Sequence, residues 1–142
     1  VYPERYVTLT LENGAKKVLT SVEGTVTYSS GKKLFTGTIS LPDTITTGPY
    51  LFKVRTDFSL TKTVSSGLLV IQKGKLTTLP TVELAVLDFD ENETISLLDF
   101  LVLRDCLDTD CGDESVDVND DGVIDLLDYN IAVEYFGKAQ GD

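Results

Sequence analysis

The sequence predicts two joined domains: an all-β antiparallel sandwich over residues 1–83, followed by a small α-helical domain over residues 84–142. Three observations predict this. The first 84 residues hold β-branched and aromatic runs separated by turn signals, with no helical period. Charge then changes sign: residues 1–84 carry 10 Lys and Arg against 6 Asp and Glu, whereas residues 85–142 carry 2 against 17. Finally, the acidic part repeats itself at an offset of 29 residues.

The strands are expected at 6–12 (YVTLTLE), 24–30 (GTVTYSS), 33–41 (KLFTGTISL), 50–57 (YLFKVRTD) and 67–72 (GLLVIQ), with ENGAKK, SSGKK, LPDTITTGP and KGK as the turns. Short, evenly spaced strands of this kind predict a sandwich of six to eight strands. The segment from Gly48 to Leu84, a glycine followed by a Tyr-initiated alternating strand and a late apolar one, resembles the carboxypeptidase-regulatory-like and prealbumin-like sandwich modules of secreted proteins. The boundary falls near Pro80, and the connection into the acidic part is short.

A 58-residue stretch at −15 repels itself unless cations, a basic partner or salt neutralise it. Its regularly spaced Leu, Ile, Val, Phe and Tyr argue for a fold rather than a disordered tail. Acidity of this degree argues against nucleic-acid binding, whose footprint is basic. No apolar run reaches the roughly 20 residues a membrane span needs. The first residue is Val rather than Met, so the sequence reads as a processed or excised product from which an upstream export signal is expected to have been removed if there was one.

The repeat aligns DFDENETISLLDF (88–100) with DVNDDGVIDLLDY (117–129). Asp recurs at positions 1 and 12, Ile at 8, Leu at 10 and 11, and an aromatic at 13. A hard cation takes six to eight oxygens, and a twelve-residue loop supplies them from positions 1, 3, 5, 7, 9 and 12, with a backbone carbonyl at 7. The second copy offers Asp117, Asn119, Asp121, Val123 (carbonyl), Asp125 and Asp128, with Gly122 at the sharp turn of position 6. The first offers Asp88, Asp90, Asn92, Thr94 (carbonyl), Ser96 and Asp99, with Glu93 at position 6. A non-glycine residue at positive φ costs on the order of 1 kcal/mol, so the first loop is expected to be the weaker. Two calcium ions are therefore expected. Asn92-Glu93-Thr94 also matches a glycosylation sequon, but its place inside a metal loop predicts no glycan.

Each loop leads into a helical pattern, at 97–107 and 126–137, with Leu127, Ile131 and Tyr135 expected on one face and Gly137 as the stop. Neither has an entering helix, and both close on Asp. This arrangement over 84–142 resembles the dockerin module, two half EF-hand repeats that fold with calcium. The resemblance implies a cohesin-like partner in an extracellular microbial assembly. It also implies a role in partner recognition for positions 10 and 11, here Leu97, Leu98, Leu126 and Leu127, whose alternative role is core packing.

Cys106 and Cys111 are the two cysteines, and with no His in the chain a zinc set lacks ligands. A local disulfide, implying an oxidising compartment, stands against two unpaired thiols. No partnered catalytic constellation is visible, so the chain reads as a non-enzyme. The alternative function is a self-assembling extracellular filament or sheath. Its copies would join head to tail, basic part to acidic part, or by adding the 5–12 segment as a strand to a neighbouring sheet.

Overall fold

A computed structural model describes residues 4–64, 67–107, 109, 111 and 116–136. The described residues form six antiparallel strands and two short helices. Contacts divide them into two compact units. One contains the residues up to Thr56 together with Thr61–Glu83. The other contains Asp57–Leu60 and the residues from Leu84 onward.

The β unit is built on strand β1 (Glu4–Glu12), whose Val7, Leu9 and Leu11 point inward on the two-residue period of a strand. It pairs with β2 (Val18–Ser29) on one side and β4 (Gly48–Thr56) on the other. The β1–β2 turn is held by the Asn13 side chain, whose Oδ1 accepts from the N–H groups of Ala15 (2.9 Å) and Lys17 (3.0 Å). β3 (Leu34–Thr36) extends the sheet beyond β2, and β5 (Lys62–Thr63) and β6 (Leu69–Ile71) both pair with β4. Leu9, Leu11, Tyr50, Phe52, Val64 and Ile71 form the core.

Three expectations change here. β2 starts at Val18 rather than at residue 24, because VLTSV continues the ladder with β1. The strand expected over 33–41 is confined to 34–36. Beyond it Ile39 packs over Gly24, where an added Cβ would lie 2.6 Å from Ile39 Cγ1, so side-chain packing replaces the ladder. From Val7 to Glu12, β1 is paired on both edges, so that part of the 5–12 segment has no free edge to add to a neighbouring sheet.

In the other unit, α1 (Leu97–Cys106) and α2 (Leu126–Tyr135) follow the two acidic loops. Leu87, Ile95, Leu103, Cys106, Val116 and Ala132 form its core, with Phe100 and Tyr129 packed against it. The Phe100 and Tyr129 rings meet edge to face at 5.7 Å, joining the two repeats at position 13. Leu60 is fully buried in the same core. Cys106 and Cys111 form a disulfide with their Cα atoms 5.2 Å apart. Gly137, and residues 108, 110 and 112–115 between the repeats, lie outside the described residues. No helix among the described residues is long and apolar enough to cross a membrane.

Candidate metal centres

Each loop is shaped by carboxylates that accept from its own backbone N–H groups, and the two loops do so position by position. In the first, Asp88 accepts from Asn92 N (3.0 Å) and Glu93 N (3.0 Å). In the second, Asp117 accepts from Asp121 N (3.2 Å) and Gly122 N (2.7 Å). Asp99 accepts from the N–H groups of Phe89 (2.8 Å), Asp90 (3.3 Å) and Ser96 (2.7 Å). Asp128 accepts from Val118 (2.8 Å), Asn119 (3.1 Å) and Asp125 (2.8 Å). Asp88, Asp99, Asp117 and Asp128 are all buried.

Positions 3 and 5 carry the same pair of residue types in swapped order. Asn92 Nδ2 donates to Asp90 (2.7 Å), and Asn119 Nδ2 donates to Asp121 (2.9 Å). Asn92 Oδ1 also accepts from Thr94 N (2.9 Å), as Asp121 Oδ1 does from Val123 N (3.0 Å). The exchange keeps one charge and one amide in each loop.

Position 9 has a function the ligand pattern did not predict. Ser96 and Asp125 are the N-caps of α1 and α2, accepting from Leu98 N (3.2 Å) and Leu127 N (2.7 Å). With Asp99 and Asp128 at N3 they close capping boxes. The Ser-x-x-Asp and Asp-x-x-Asp spacings carried that signal. Their oxygens are thus engaged with the helix, which suits the water-mediated contact that position 9 often makes in such loops.

Gly122 adopts φ +92°, and Glu93 adopts φ +64° at the same place, as the alignment requires. Position 4 is also left-handed in both loops, at Glu91 (φ +55°) and Asp120 (φ +64°). Asp tolerates that region better than most residues and Glu does not, so the sequence held at most half of this signal.

The position-12 carboxylate also fixes the helix faces. It points inward, so the buried positions follow at four- and seven-residue steps: Asp99, Leu103 and Cys106 on α1, and Asp128 and Ala132 on α2. Residues just before it are rotated outward. Leu97, Leu98, Leu126 and Leu127 are accordingly 64%, 58%, 68% and 55% exposed. None of the four packs into the core of its own unit. Leu127, Ile131 and Tyr135 keep the four-residue spacing expected of them, with Leu127 at the exposed start of α2.

Burial pushes the Asp88 carboxyl above its ordinary value, against the pull of the Glu93 and Asn92 amides; Asp99 and Asp90 add to the rise. One carboxylate oxygen each from Asp88, Asp90 and Asp99 lie within 4.8 Å of one another. A cation bound at the roughly 2.3–2.6 Å of calcium–oxygen ligation can bridge oxygens so spaced. The donor set is all oxygen, part of it buried and anionic, and it suits a hard divalent cation.

No family model matches the sequence, and no curated protein matches it. Among solved structures, the chain is similar to a chain of a type II cohesin–X-dockerin complex from Acetivibrio cellulolyticus that carries a C-terminal interface mutation. The identity is 23% over 94% of this chain and 83% of that one, with a TM-score of 0.57. The same complex with an N-terminal interface mutation matches at 22% identity over the same shares, with a TM-score of 0.58. At these identities the likeness shows a shared fold.

Proposed function

We propose that this chain is a non-catalytic extracellular module that binds two calcium ions and joins protein assemblies through its dockerin-like unit. The observation that carries the reading is the position-for-position agreement of the two loops. Loops that differ at positions 2, 3, 4, 5, 6, 7 and 9 hold their backbones with the same carboxylates accepting from the same amides. Calcium would be held by Asp88, Asp90, Asn92, the Thr94 carbonyl and Asp99 in the first loop. Asp117, Asn119, Asp121, the Val123 carbonyl and Asp128 would hold it in the second, with Ser96 and Asp125 acting through water. The ion supplies the positive charge that gathered carboxylates need, and its binding free energy adds to that of folding.

The partner is a cohesin-like protein, a reading supported by the shared fold with a chain of a cohesin–X-dockerin complex. The exposed Leu97, Leu98, Leu126 and Leu127 form its contact, because large apolar side chains at neighbouring exposed positions mark interaction sites. The Cys106–Cys111 disulfide supports an oxidising, extracellular setting. Two measurements test the reading. Titration calorimetry of metal-stripped protein is expected to show two calcium equivalents; no uptake at millimolar calcium sinks it. Biolayer interferometry against a type II cohesin is expected to show calcium-dependent binding. That binding should be lost when both leucine pairs are changed to glutamate. Binding indifferent to EDTA or to those changes would refute the leucine contact.

A further inference from the structure

The first loop is tied to a part of the chain that a linear reading assigns to the β domain. Asp88 N donates to the carbonyl of Phe58 (2.9 Å). Two residues along, Leu60 N donates to the Ala85 carbonyl (3.0 Å), and Ser59 bridges Val86 in antiparallel fashion. This short ladder runs directly into Asp88. Phe58 meets the loop a second time through its ring, 6.0 Å from the Phe89 ring, and Phe89 N is one of the donors to Asp99. Phe58 thus reaches both the residue carrying the loop's first carboxylate and a residue bonded to its last.

Phe58 does this in a conformation few residues of its kind adopt. Its φ is +55°, in the left-handed region, which is unfavourable for a residue with a Cβ. Leu60, fully buried, and the Phe58–Phe89 contact hold it there. A bulky residue kept in a strained conformation by its surroundings is a pointer to function.

We propose that Phe58 is a positioning residue for the first calcium loop: its carbonyl and ring fix Asp88 and Phe89 before metal arrives. The proposal rests on the calcium reading above. Fixing the loop in advance reduces the ordering cost of binding, and it offsets the handicap of Glu93 at position 6.

The test uses the full chain. Asp117→Asn leaves the first loop to report alone, and Asp88→Asn leaves the second. Phe58→Ala is expected to weaken calcium binding at the first loop about tenfold or more, in line with the effect of removing a residue that supports a metal ligand. It should change the second loop by less than about twofold, and Phe58→Tyr should restore the first. Equal loss at both loops, or no loss at the first, overturns the proposal. Amide exchange on metal-free protein gives a readout independent of calcium. The Asp88 amide is expected to be protected in the parent chain and less protected in Phe58→Ala, which keeps the carbonyl but loses the ring that holds it in place; an unprotected Asp88 amide in the parent overturns the proposal even where the variant does not fold. Protection at Asp88 with no calcium uptake in the parent would leave Phe58 as the clamp and count against the calcium reading alone.

Discussion

The loops at 88–99 and 117–128 reach the same hydrogen-bonded backbone with different residues. The second has glycine at the sharp turn and an acidic N-cap at Asp125. The first has Glu93 and Ser96 at those places, and it has a clamp from Phe58 on its first residue. The second loop therefore gets its shape mainly from residues chosen for the turn. The first gets part of its shape from a distant segment that holds it. Two copies of one motif can differ in where their stability comes from while sharing a geometry.

The position-12 carboxylates offer the largest test of that equivalence. Asp99 and Asp128 each accept from three backbone N–H groups in a buried setting. Removing either leaves those donors unpaired and deletes a proposed calcium ligand. Asp99→Ala and Asp128→Ala are each expected to cost about 3 kcal/mol of unfolding free energy by urea denaturation in EDTA, and to abolish one calcium equivalent. Costs differing by more than about 2 kcal/mol would break the equivalence.

Position 6 gives a smaller effect of opposite sign in the two copies. Glu93→Gly removes a left-handed penalty and is expected to stabilise by about 1 kcal/mol. Gly122→Ala adds one; a Cβ there meets nothing within 4 Å, so the cost is confined to the backbone, at about 1 kcal/mol. Urea midpoints of the two variants check both signs.

The smallest effect is on pH dependence, and it is assigned to the first loop. The raised Asp88 value means that folding favours the protonated carboxyl relative to the unfolded chain. Its contribution to stability is fully present below the ordinary value of 3.8 and is lost as pH rises through the raised value. Acidification from neutrality in EDTA is thus expected to recover stability from this group, and Asp88→Asn to flatten that part of the profile. Urea midpoints between pH 7 and 4 that are identical for parent and variant would remove Asp88 from the comparison.

Much of the acidic part was legible because its constraints are local. The order of Asp, Asn and Gly within twelve residues fixes which carboxylate meets which amide, and the helices start where the capping spacings place them. Position 4 was not legible, because Glu91 carries no mark of a left-handed backbone. The rotation of α2 was not legible for a related reason. Leu127, Ile131 and Tyr135 have a helical period, but the inward-pointing Asp128 sets the rotation, and a period alone does not give a phase.

By itself the sequence determined the antiparallel β character of the first part, the paired twelve-residue loops and their carboxylates, since each rests on contacts between residues near in the chain. Only the tertiary structure decided that β1 is interior, that the four leucines face outward, and that Phe58, 30 residues upstream, holds Asp88. Those facts depend on which surfaces are covered by distant segments, and nothing in a local pattern records what will cover it.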